Sequence, residues 1–78
     1  MKELVELITK SLVDNPNKVK VSQLGGEKNS IIELKVAPED VGSVIGKQGK
    51  NIQAIRLILG AAGIKLKKRF ILELVEKG

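Results

Sequence analysis

The chain has 78 residues, of which 42% are hydrophobic, with no cysteine, no histidine and a net charge of +5. A length of this kind makes one small domain, residues 1–78, with a core too modest to wall an enzyme pocket on all sides. Without His or Cys, the usual zinc sites and the Ser-His-Asp and Cys-His nucleophile systems cannot be built, and no disulfide can staple the fold.

Lys2 to about Val13 place Leu4, Val5, Ile8 and Leu12 at helical spacing, which predicts an amphipathic helix. Asp14-Asn15-Pro16-Asn17 ends it, because the residue before a proline is driven out of the α region. Lys18 to Ser22 alternates with period two, as a half-buried strand does. Gly25 to Asn29 is a turn, and Ile32, Leu34 and Val36 alternate with Glu33 and Lys35 to give a second strand, antiparallel to the first.

Pro38 suits a first helical position, and Glu39 and Asp40 follow where carboxylates favour the helix dipole, which explains them without chemistry. This second helix is short, carries Val41, Val44 and Ile45, and stops at Gly46. A third starts near Gly49 or Lys50, with Ile52, Ile55, Ile58, Leu59 and Ala62 as its buried stripe and Gly60 and Gly63 loosening its end. Lys67-Lys68-Arg69 leads into a third strand with Phe70, Leu72 and Leu74 on its core side. The order is α-β-β-α-α-β. The long two-helix crossover allows the second and third strands to run parallel, with right-handed connection. The expected fold class is α+β: a three-stranded mixed sheet covered on one face by three helices.

Charge is unevenly placed. Between Asp40 and Glu73 there are seven basic residues and no acid, so the rest of the chain carries a net −2. A contiguous cationic half is the footprint of a polyanion partner, although a charge run alone is more often just a solvated surface. Inside it lies Val44-Ile45-Gly46-Lys47-Gln48-Gly49-Lys50-Asn51-Ile52. Two glycines in a tight turn between helices remove the Cβ atoms that keep other molecules away. The first amides of the following helix lack intrahelical partners and suit a phosphate. Read alone, the two glycines could be no more than helix caps.

This stretch resembles the V-I-G-x-x-G-x-x-I signature of the KH domain, a single-stranded nucleic-acid binder, and the element order resembles its type II arrangement. The likeness covers essentially the whole chain. Its continuation through Ile55-Arg56, Gly60-Ala61-Ala62 and Lys68 to Glu73 is similar to the small bacterial single-domain KH proteins. The resemblance implies a loop that clamps about four backbone nucleotides. By position, Gly46, Lys47, Gln48 and Gly49 would hold the sugar-phosphate chain, with Lys50 beside them. Ile45 and Ile52 would floor a groove for the bases, Ile32 and Leu34 would wall it, and Lys35 and Arg56 would make polar contacts at its rim.

Single-stranded RNA is the expected partner, and the resemblance implies self-pairing or pairing with a larger KH-containing protein. A protein-interaction scaffold with incidental nucleic-acid binding, and single-stranded DNA binding, are the competing readings. Phe70, the single aromatic, is expected in the core, so that stacking platforms are missing and one copy should bind weakly. Lys65, Lys67, Lys68 and Arg69 either solubilise a loop and strand end or meet RNA directly. Gly42 to Lys47 is one residue short of a nucleotide-binding G-x-x-x-x-G-K, and Gln48 stands where Ser or Thr would hold Mg²⁺. No catalysis, cofactor, metal or small-molecule substrate is expected. No secretory signal or apolar run of about 18 residues is visible, so a cytoplasmic protein is the simplest expectation.

Overall fold

The computed structural model describes residues 1–75. Helix α1 spans Lys2–Leu12 and turns Val5 and Thr9 fully inward, with Leu4, Ile8 and Leu12 half-buried around them. Pro16 then opens a single 3₁₀ turn, Pro16–Lys18. Strand β1 therefore runs Lys20–Gly25, two residues later than the alternation suggests, although Val19 and Val21 are buried as that alternation requires. Strand β2 spans Asn29–Lys35.

A second 3₁₀ turn, Pro38–Asp40, leads into α2, Val41–Ile45. Helix α3 runs Lys50–Leu66, and β3 follows as Arg69–Val75. The α-β-β-α-α-β order is thus the observed one. The sheet order is β1-β2-β3, with β1 antiparallel and β3 parallel to the central β2. Register sets two rows on the covered face: Val21, Leu34 and Leu74, then Gln23, Ile32 and Leu72. Helix α1 packs on β1, α3 packs on β3, and α2 packs against α1 and α3. Ile32, Leu34, Val44, Ile55 and Leu59 meet at the centre with almost no exposed surface. Each such side chain contributes about 1.5–3 kcal/mol through burial. No helix among the described residues is long and apolar enough to cross a membrane.

Three expectations need correction. Ile58 is not part of the stripe; it is 42% exposed, and Gly63 takes an inner position together with Ile52, Ile55 and Leu59. Nor does Gly63 loosen the helix end. A Cβ there would collide with the backbone carbonyl of Lys68, so Gly63 lets the chain turn back tightly against the helix. The turn is closed by the Lys68 amide donating to the Gly63 carbonyl at 2.9 Å, with Lys67 left-handed at φ 58°.

The third correction concerns Asp40, which does more than sit at a helix start. It is 1% exposed, and its carboxylate accepts hydrogen bonds from the Asp14 amide (3.2 Å), the Asn15 amide (3.0 Å) and Asn15 Nδ2 (3.0 Å). One side chain thereby ties the end of α1 to the start of α2. Burial alone would raise its pKa. The Asn15 side chain, the two amides and the nearby Lys18 outweigh that effect and hold the carboxyl below its ordinary value of 3.8.

Candidate functional site

The turn between α2 and α3 places Gly46, Gln48 and Gly49 at positive φ. Gly46 lies at φ 78°, ψ 171°, a region essentially closed to residues with a Cβ. Lys47–Gly49 makes one 3₁₀ turn, in which Gln48 is left-handed at φ 59°, ψ 24° and Gly49 follows at φ 75°, ψ 16°. The Gly46 amide donates to the Gly42 carbonyl at 2.8 Å, and the Gly49 amide donates to the Gly46 carbonyl at 3.0 Å. Left-handed backbone at Gln48 costs on the order of 1 kcal/mol, stored at the tip of the turn.

Asn51 holds the turn from behind. Its Nδ2 donates to the Ser43 carbonyl at 2.8 Å, tying the first turn of α3 to α2. A Cβ placed on Gly46 would lie 2.6 Å from Asn51 Cγ and 2.9 Å from the Asn51 amide nitrogen. The two glycines therefore have different reasons to be glycine. Gly46 is required by both backbone angle and crowding, whereas the space beside Gly49 is open apart from Gln53 Nε2 at 3.8 Å. Asn51 was visible in the motif, but only the folded geometry shows what it does.

Lys47, Gln48, Lys50 and Arg56 are exposed, and Gly49 is half-buried. Among the described residues, the ion pairs are Met1 with Glu3 and Lys10 with Glu6, so the cations of this turn face solvent unneutralised. They stand beside the opening amides of α3, which adds partial positive charge. Ile45 is half-buried and Ile52 is 7% exposed directly behind the turn, a floor that is mostly core. The arrangement offers lysine ammoniums and an open backbone face at Gly49 to a chain of phosphates, with no acidic side chain in the turn, although the Gly49 and Lys50 amides expected to be free donate to the Gly46 and Lys47 carbonyls.

Two predicted wall residues are misplaced. Ile32 and Leu34 have 0% exposure, because β2 is the central strand and the helices cover it completely. They back the site without reaching its surface. Lys35 lies between the buried Leu34 and Val36, so strand alternation turns it to the face the helices leave open, away from Ile52. The strand with a free edge next to α3 is β3, on which Phe70 and Leu74 are half-buried. No signal in the sequence separates a central strand from an edge strand when both alternate.

Residues 2–74 match the family model described as KhpA/KhpB, KH domain. The chain is 57% identical to an RNA-binding protein KhpA from Caldanaerobacter subterraneus subsp. tengcongensis, over 96% of this chain and 100% of that protein. It is 55% identical to RNA-binding protein KhpA of Clostridium acetobutylicum, with the same coverage of both. Identity to RNA-binding protein KhpA of Aquifex aeolicus is 51%, over 97% of this chain and 96% of the other. No solved structure gives a significant match.

Proposed function

This chain belongs to the KhpA/KhpB family of KH-domain proteins, a family of RNA binders and not of enzymes, and from that premise we propose that it grips single-stranded RNA with the Gly46–Gly49 turn. It is non-catalytic, works in the bacterial cytoplasm, and serves as a small RNA chaperone or adaptor. The observation that carries this reading is the unneutralised G-K-Q-G turn, whose strained tip projects Lys47 and Gln48 into solvent.

In this reading Lys47 and Lys50 meet phosphates, Gly49 lets the strand lie against a backbone that Gly46 holds in shape, and Ile45 with the exposed fringe of Ile52 supports the nearest bases. Arg56, one and two helical turns beyond Ile52 and Gly49, extends the cationic track along α3. With Ile32 and Leu34 submerged, the opposing wall is the free edge of β3.

One copy offers few contacts, and affinity rises when two modules act together. Leu57 and Ile58 are 75% and 42% exposed on the outer side of α3, which supports pairing of this chain with a second copy or with another KH-containing protein. Light scattering across a concentration series tests the pairing.

The decisive test of RNA binding replaces Lys47 and Gln48 together by Asp. Asp tolerates the left-handed backbone that position 48 needs, so the fold should persist by circular dichroism while RNA binding is lost. Retained RNA affinity in that folded variant would refute the proposal. For about three phosphate contacts, log K should fall against log salt with a slope near −2, at about 0.7 per phosphate for single strands. DNA of the same sequence, run alongside, reads whether the 2′-hydroxyl matters.

A further inference from the structure

A second cationic feature lies at the opposite end of α3 from the glycine turn. There an open cavity of about 570 Å³ is lined by the last turns of α3, the β1–β2 hairpin and the first residues of β3. Its volume falls within the roughly 300–1,000 Å³ of small-ligand sites. Four of its lining residues are basic, Lys28, Lys67, Lys68 and Arg69, and none is acidic. Among the described residues none of these four forms an ion pair.

Cations that follow a helix C-terminus are ordinarily explained by the helix dipole. That accounts for Lys67 and Lys68. It does not account for Lys28 and Arg69, which come from the hairpin and from β3 and are joined by the Arg69 amide donating to the Lys28 carbonyl at 2.7 Å. Three separate elements thus bring positive charge to one opening.

The remaining lining has the character of a base-binding surface. Phe70 is only half-buried and faces this space, so the single aromatic of the chain is not fully withdrawn into the core. On the α3 side lie Gly60, Gly63 and the exposed Ile64, of which Gly63 is covered by the Lys68 carbonyl and Phe70. Nothing lies within 4 Å of a Cβ built on Gly60, so the space above that residue is empty.

We infer that this cavity is a second nucleotide site, in which the four cations take a phosphate of the RNA strand and a base rests against Phe70 and the glycine surface. The inference rests on the RNA-binding reading of the glycine turn and extends it. Helix α3 has 17 residues and so separates the two sites by roughly 25 Å, more than the four nucleotides clamped at a KH loop are expected to serve. A longer strand occupies both ends of the helix, whereas a short one occupies the turn alone.

The test uses the full chain, labelled for amide NMR titration, with RNA of four and of about 12 nucleotides. Two variants probe the cavity: Gly60→Leu, whose Cβ meets nothing within 4 Å and whose side chain adds bulk at the opening, and Lys68→Gln with Arg69→Gln, which removes half of its charge. Wild-type protein should bind the longer RNA at least about tenfold more tightly, with a salt slope steeper by about 0.7 for the one added phosphate. Amides of Lys28, Gly63 and Phe70 should shift with the longer RNA only. Both variants should lose that gain and bind the four-nucleotide RNA as wild type does.

Equal binding of both lengths by wild type, or unchanged binding of the longer RNA by both variants, would overturn the inference. In the latter case the cations serve another polyanion, such as an acidic protein segment. The Lys47→Asp, Gln48→Asp variant keeps the two readings apart. If it still binds the four-nucleotide RNA, the glycine turn is not the grip, whatever the cavity variants do.

Discussion

The two ends of α3 each carry a pair of glycines, and they use them in opposite ways. At the front, Gly46 and Gly49 hold backbone angles that a Cβ opposes, φ 78° and 75°, and they frame a left-handed Gln48. At the rear, Gly60 and Gly63 are ordinary helical residues whose value lies in what they leave unfilled. The front pair shapes a turn. The rear pair clears space, in one case for the Lys68 carbonyl and in the other for an open cavity. Glycine content alone would treat the four positions as equivalent, and only backbone angle and surroundings separate them.

The sharpest way to break this comparison is Gly46→Ala. It meets a forbidden backbone region and the Asn51 side chain together, so a loss of roughly 2–4 kcal/mol is expected in urea denaturation. Gly49→Ala should cost less, about 1 kcal/mol, because its surroundings are open and only the angle resists. Equal costs at the two positions would mean that crowding by Asn51 is irrelevant. At the rear, Gly63→Ala drives a methyl group at a backbone carbonyl that has little room to move, for a cost of about 1–3 kcal/mol.

Acid separates the two ends by another route. Asp40 secures α2, and through α2 the front turn, while the rear has no comparable buried carboxylate among the described residues. Its pKa is lower in the folded chain than the ordinary 3.8, so its stabilising effect is complete above that value and is lost as pH falls through the depressed one. Wild type should therefore lose more stability between pH 7 and pH 3 than Asp40→Asn does, as measured by urea midpoints. Amides of α2 should lose exchange protection before those of the α3 C-terminus. The smallest effect is at Gly60, where Ala should stabilise the helix by about 0.5–1 kcal/mol, a sign opposite to that at the other three glycines.

Most of the architecture was legible before any coordinates. Element order, the hairpin, the parallel third strand and the position of the glycine turn all follow from periodicity and punctuation, because each depends on local chemistry. What escaped were properties of partners distant in sequence. Asp40 reads as a helix-start acid because its ligands, Asp14 and Asn15, lie 26 and 25 residues away. Ile32 and Leu34 are placed on the groove wall by the family resemblance, and alternation cannot correct it because it marks a face and not a depth. Thr9, which the helical spacing does not single out, is completely buried on the inner side of α1, with its hydroxyl unpaired among the described residues. Ile58 and Gly63 exchanged roles because bulk predicts burial only where there is room, and the turn at Lys68 leaves room for no side chain.

The parallel ladder has a consequence for how the protein comes into being. Every β2–β3 pair, from Asn29 with Arg69 to Lys35 with Val75, joins residues 40 positions apart. Helix α2, with five residues, is far too short to persist unaided, so the turn it supports depends on a crossover that is closed only by pairing across those 40 positions.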